Sequence, residues 1–63
     1  MKNEVLIETR LKEGLSQREV AEQAHIPKVS YQRYEMGLRE PKVKVANRIS
    51  TVLHSDSLTL FGI

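Results

Sequence analysis

The sequence has no cysteine, so neither a disulfide nor a thiolate-bound metal is available to brace the fold. Its two histidines, His25 and His54, stand far apart and lack a HExxH-type spacing, so no metal site is expected. No run approaches the ~18 apolar residues that a membrane span requires. The acidic start MKNEVLIE does not resemble a signal peptide, and a soluble, intracellular protein is expected. A G-x-S-x-G elbow, a phosphate-binding glycine loop and a histidine–carboxylate constellation are missing as well, which argues against an enzyme and against a small-molecule cofactor. Nor is there a strong excess of one charge: ten basic side chains face eight acidic ones, a net of +2.

What is present is enough for one small domain over residues 1–63. A chain of this length buries only about 60% of its unfolded surface, so its stability is marginal unless a partner adds to it. The 40% apolar content suits a modest helical core that dimerisation would extend. Charge is distributed unevenly. Glu4, Glu8, Glu13, Glu19 and Glu22 lie in the first 26 residues, whereas between Pro27 and Arg48 the basic Lys28, Arg33, Arg39, Lys42, Lys44 and Arg48 outnumber Glu35 and Glu40, with only Asp56 acidic beyond. This is the footprint of a phosphate-binding surface, and equally that of an ordinary solvated face.

Sparse glycines and prolines divide the chain into short helical stretches, and no stretch alternates as a strand does. Asn3 to Glu13 is rich in helix formers and stops at Gly14, a suitable C-terminal cap. Ser16-Gln17-Arg18-Glu19 is a capping box: the Ser16 hydroxyl accepts from the Glu19 amide while the Glu19 carboxylate reaches back. Leu15 before the cap and Val20 beyond it suit a hydrophobic staple, giving a helix from Ser16 to Ala24 with Val20, Ala21 and Ala24 on its apolar face. After a turn at His25 and Ile26, Pro27 is placed to start a third helix from Lys28 to about Met36, ended by Gly37. Pro41 is expected to open a fourth, with Val43, Ala46, Ile49 and Leu53 on one face, and Asp56 or Ser57 to cap a last short turn. The fold class expected is all-α, five short helices without strands.

Two helices of about eight residues joined by a tight turn form a helix-turn-helix, here over residues 16–36. The segment RLKEGLSQREVAEQAHIPKVSYQRYEMGLREP, Arg10 to Pro41, resembles the phage repressor/Cro family, also called the XRE family, whose fold is lambda-repressor-like. The resemblance is carried by Arg10, the run Gly14-Leu15-Ser16-Gln17, Ala21, Ile26, Tyr34, Glu35 and Gly37, and continues through Val43, Ile49 and Leu53. It implies that small Ala21 sits where two helices cross, that Ile26 plugs the turn, and that Arg10 pairs with Glu35. If that pair is buried, losing one partner strands the other at a cost of ~3–5 kcal/mol. Three departures stand out. His25 occupies a turn position where the family commonly has glycine at positive φ, which histidine tolerates with mild strain. Tyr31 replaces an aliphatic residue, so the core is expected to rearrange around its hydroxyl. In the first helix, periodicity turns Ile7 and Leu11 inward, whereas the family register buries Leu6, Thr9 and Arg10. The register is preferred, leaving Ile7 and Leu11 exposed.

The resemblance implies sequence-specific binding of double-stranded operator DNA, with the third helix in the major groove. Its base-reading candidates are Lys28, Val29, Gln32 and Arg33. Lys28 and Arg33 suit guanine, Gln32 adenine and Val29 a thymine methyl. The competing view is that these are merely the solvated residues of an amphipathic helix. Gln17, at the start of the second helix, is a phosphate-binding candidate, with Arg18, Ser30, Arg39, Lys42 and Lys44 as others. Arg48 is expected to be plain surface, and His25 and His54 to be turn and helix-end residues. The tail residues Leu58, Leu60, Phe61 and Ile63 have two uses, core and homodimer interface, and a dimer would read a near-palindromic site. A small cytoplasmic, nucleoid-associated regulator of bacterial or phage origin, probing DNA as a repressor, is the function implied. The alternative is a protein-interaction module of the same fold, antitoxin-like or an anti-repressor partner. Gln17, Lys28 and Arg33 argue against that alternative, while exposed Ile7, Leu11 and Phe61 argue for it.

Overall fold

In the computed structural model, which describes residues 1–63, five helices follow one another without strands: α1 Glu4–Lys12, α2 Gln17–Gln23, α3 Lys28–Met36, α4 Val43–Val52 and α5 Ser57–Phe61. They enclose one core of Leu6, Val20, Ala21, Ala24, Tyr31, Tyr34, Ile49, Leu53 and Leu60, with Leu15, Ile26, Val45, Val52 and Phe61 packed around it.

Asn3 caps α1, its Oδ1 accepting from the Leu6 amide at 3.1 Å. Its Nδ2 also donates to the Leu60 carbonyl at 2.7 Å, and its backbone amide to the Glu35 carbonyl at 2.8 Å. One residue thereby fastens the start of α1 to both α3 and α5. The helix is set in the expected register, because Leu6 alone is fully buried and Leu11 is 62% exposed. Ile7, Thr9 and Arg10 are half-buried, so Ile7 is not the free apolar position expected.

The capping box of α2 forms reciprocally. Glu19 N donates to Ser16 Oγ at 3.0 Å, and Ser16 N to Glu19 Oε1 at 2.8 Å. Ala21 and Ala24, each 1% exposed, let α2 lie close against its neighbours. The turn to α3 passes through His25 at φ 59°, the left-handed conformation that its position required. Pro27 then stands as the extended N-cap of α3. Gly37, at φ 72°, ends that helix, and the Met1 backbone lies so close that a Cβ here would strike the Met1 carbonyl.

α4 begins at Val43, not at Pro41. Lys42 is its N-cap in extended conformation (ψ 159°), and Pro41 is buried ahead of the helix. The proline ring is taken up by packing and is not spent on the first helical turn. Ala46, Ile49 and Leu53 point inward as expected, but Val43 is 60% exposed. Arg48 is more than surface: its Nε donates to the Ala24 carbonyl at 2.9 Å, so α4 caps the C-terminal end of α2 with a cation. Asp56 caps α5 through the Thr59 amide at 2.8 Å. Its exposed carboxyl is held below the usual aspartate range, first by that amide and then by the Thr59 hydroxyl. Leu60 is buried, and half-buried Phe61 meets Tyr34 edge-on at 6.3 Å between ring centroids.

Candidate nucleic-acid interface

The α2–turn–α3 unit is held from beneath by an ion pair. Arg10 on α1 donates through Nε to Glu35 Oε2 at 2.6 Å and through Nη2 to Glu35 Oε1 at 3.3 Å. Its Nη1 reaches the Leu15 carbonyl at 3.0 Å, just ahead of α2. Glu35 is 3% exposed. Burial opposes its ionisation, but hydrogen bonds led by that from Arg10 outweigh it and hold the carboxyl below the usual glutamate range. The Arg10 guanidinium is correspondingly raised, mainly by the Glu35 hydrogen bond. Tyr31 packs beside this pair with its ring fully buried. Its hydroxyl meets no partner at hydrogen-bonding geometry, and burial, reinforced by the nearby Glu35 carboxylate, pushes its pKa far up.

Two glutamines extend the network to the surface. Gln17, the first residue of α2, donates through Nε2 to Glu35 Oε1 at 2.9 Å. Gln32 on α3 donates through Nε2 to Gln17 Oε1 at 3.3 Å. Both side chains are half-buried. A chain of partners therefore runs from Arg10 through Glu35 and Gln17 to a residue of the outer face of α3. The pair at a separation of 25 is the one the resemblance implied, whereas no pattern in the sequence announces the glutamine contacts at separations of 18 and 15.

Lys28, Val29, Gln32 and Arg33 share one face of α3 by helical spacing, turned away from buried Tyr31 and Tyr34, with buried Glu35 at the edge of that face beside Gln32. Lys28, Val29 and Arg33 are exposed and Gln32 half-exposed. Of the backbone candidates, Arg18, Arg39, Lys42 and Lys44 are exposed, while Ser30 and Gln17 are half-buried. The one ion pair between permanently charged side chains is Arg10–Glu35, and an outlying contact joins His54 Nδ1 to Glu13 Oε1 at 2.8 Å. Lys28, Arg33, Arg18, Arg39, Lys42 and Lys44 thus carry charges that no carboxylate of the chain neutralises. Of the four tail residues, Leu60 is committed to the core and Phe61 largely so, leaving Leu58 and Ile63 outside.

Five helices with a capped α2, a tight turn and an α3 whose outer face carries cations without carboxylate partners define a helix-turn-helix domain. The helix-turn-helix family model matches residues 6–59, and the chain belongs to that family, the XRE-type DNA-binding regulators. Among solved structures, a chain of the SinR protein/SinI protein complex superposes with a TM-score of 0.86 at 27% identity. The match covers 97% of this chain and 60% of that one, so the present domain spans little more than half of its structural neighbour. No curated protein matches the chain.

Proposed function

We propose that this domain binds double-stranded DNA in a sequence-specific manner as a small transcriptional regulator, a repressor acting as a homodimer on a near-palindromic operator. The observation that carries the reading is the outer face of α3. Lys28, Val29, Gln32 and Arg33 are presented together, without internal ion pairs, on a helix fastened from below by Arg10–Glu35. Arg33 and Lys28 have the donors that guanine O6 and N7 accept, Gln32 suits adenine, and Val29 suits a thymine methyl. Arg18, Arg39, Lys42 and Lys44 supply unpaired cations for phosphates, with the Ser30 hydroxyl and the second N–H of Gln17 as neutral donors. Such contacts fix register and affinity, while the face of α3 supplies the choice of sequence.

Binding measured across a salt series, on DNA selected from a random pool and on unselected DNA, tests the reading. Affinity several powers of ten higher for selected DNA is expected. Equal affinity for both would refute specific regulation.

The second reading is a protein-binding module of the same fold. It draws on exposed Leu11 and on the fact that the structural neighbour was solved as a complex of two proteins. Ile7 and Phe61, half-buried in this fold, add less to it than the sequence suggested. Retention of a protein partner without retention of DNA would favour this reading.

A further inference from the structure

We infer that Asn3 is a positioning residue that ties the tail helix α5 to the end of the reading helix α3, and so sets the half-site spacing that a dimer accepts. The inference rests on the two-fold DNA-binding reading above, with the tail as the contact, and adds to it a residue and a geometric preference.

The start of α1 and the last turns of α3 and α5 all meet at Asn3. A helix leaves its first four N–H groups and its last four carbonyls without partners of its own. Asn3 serves each of these ends. Its Oδ1 accepts from the Leu6 amide of α1 at 3.1 Å. Its backbone N–H donates to the Glu35 carbonyl of α3 at 2.8 Å, and its Nδ2 to the Leu60 carbonyl of α5 at 2.7 Å. Helix polarity favours the same meeting, since the positive start of α1 lies against the negative ends of the other two. Other carbonyls at the end of α3 are closed locally, Arg33 by the Leu38 amide and Tyr34 by the Gly37 amide, and that of Glu35 is left to Asn3.

Packing alone does not fix how α5 sits on α3. Phe61 meets Tyr34 edge-on, and an apolar contact resists separation far more than sliding, because it is non-directional. An open cleft of about 590 Å³ runs along the same junction, lined by Met1, Asn3, Val5, Tyr34, Gly37 and Phe61 among others, and leaves that side unfilled. The bonds of Asn3 depend on angle as well as distance and supply the missing constraint. Because both donors belong to one residue, the Leu60 and Glu35 carbonyls are held in a fixed relation. Leu58 on α5 and Ile63 beyond it are the apolar tail residues outside the core. A second copy seated on them is therefore coupled through Asn3 to the position of each α3. Each base pair added between half-sites moves them apart by about 3.4 Å and turns one by about a tenth of a revolution. A stiff joint accepts one spacing, and a loose one accepts several.

The test measures affinity for a single selected half-site and for palindromes at the preferred spacing and one base pair shorter or longer. The chains compared are the wild type, Asn3→Ser, Asn3→Asp and Leu58→Glu. Serine and aspartate both cap α1 and keep the backbone bond to Glu35. Aspartate has no donor for Leu60, and the serine hydroxyl stops one atom short of the place of Nδ2. Either variant that retains a thermal transition suffices. The wild type should prefer one spacing by about tenfold or more. The Asn3 variants should lower that preference by about fivefold, the worth of one ordinary hydrogen bond, with half-site affinity unchanged. Leu58→Glu should abolish it. An unchanged spacing profile in the Asn3 variants overturns the joint. So does an equal fall in half-site and palindrome affinity, which makes Asn3 a structural cap alone, or a spacing preference that survives Leu58→Glu. A wild type indifferent to spacing overturns the two-fold reading and the joint with it, whereas a half-site bound no better than random DNA overturns the DNA-binding reading itself.

Discussion

A carboxylate that is 3% exposed carries a desolvation cost that only filled acceptor sites offset, and at Glu35 two donors of Arg10 and one of Gln17 fill them. Arg10→Met leaves that charge buried without its counterion and should cost about 3 kcal/mol, a fall in Tm on the order of 15 °C for a domain of this size. The double variant Arg10→Met/Glu35→Met should be the more stable of the two by urea denaturation, and the reverse order would show that the pair is not the constraint described. The same carboxylate sets an acid limit. Its pKa is lower in the folded chain than unfolded, so its contribution to folding is fully present above the ordinary glutamate pKa. It is lost as pH falls through the lowered folded value. Urea midpoints followed from about pH 7 to 3 should fall less steeply in Glu35→Gln than in the wild type. Tyr31 presents the opposite situation, a buried hydroxyl with no partner. Tyr31→Phe removes a polar group that gains nothing from burial and should raise stability by about 1 kcal/mol; a loss of that size would show that the hydroxyl bonds Glu35 after all. The Arg10–Glu35 tie was legible in the sequence through the resemblance, because both residues stand at family positions. The contacts of Gln17 with Glu35 and of Gln32 with Gln17 were not, since they depend on which way two side chains turn between α2 and α3.

Helix boundaries were most legible where the end of an element is written in its own residues. Ser16 and Glu19 mark the start of α2, Gly14 and Gly37 follow the ends of α1 and α3, and Asp56 opens α5, each through a local hydrogen bond or a left-handed φ. The start of α4 was misplaced by two residues because proline suits a helix start equally well at the first helical position or shortly before it, and the burial of Pro41 is a tertiary event. Arg48 escaped notice for a related reason: its acceptor, the Ala24 carbonyl, lies 24 residues away at the end of another helix. The left-handed turn at position 25 was foreseen, whereas its counterpart at His54, φ 55°, was not, because no glycine expectation attached to that position. These two turns give a paired prediction. His25 is exposed and its side chain makes no hydrogen bond, so His25→Gly relieves backbone strain and should stabilise the domain by up to about 1 kcal/mol in thermal denaturation. His54→Gly relieves the same strain but gives up the contact with Glu13, and should gain less. Equal gains would mean that the His54–Glu13 contact contributes nothing.

On the function proposed here, the division of labour across the whole molecule is between charges that would hold DNA and residues that would choose it. Lys42 and Lys44 flank the start of α4, exposed and without acidic partners, so neutralising Lys42 to Gln should weaken binding to all sequences alike and reduce the salt slope by about 0.9 for the phosphate lost. Arg33→Ala should instead relax preference at one base position, by roughly 1–3 kcal/mol of discrimination, with a smaller effect on unselected DNA. Two-fold reading requires a second copy of α3 roughly 34 Å away, one turn of the duplex along. The tail must then present a surface that the core does not use. Leu60 cannot serve, being 2% exposed, but Leu58 is 71% and Ile63 43% exposed on the same short segment. A leucine so far outside the core contributes little to the folded monomer, so Leu58→Glu should leave the thermal transition within about 0.5 kcal/mol of the wild type. If Leu58 lies in a two-fold contact, the variant sets two carboxylates against each other across the axis. Sedimentation should then show the monomer alone at concentrations where the wild type is dimeric. Binding to a full palindrome should fall to that of a half-site, while half-site binding itself is unchanged. A variant that stays dimeric places the contact elsewhere, and a wild type that is monomeric on a full site shows that each domain reads its half-site independently.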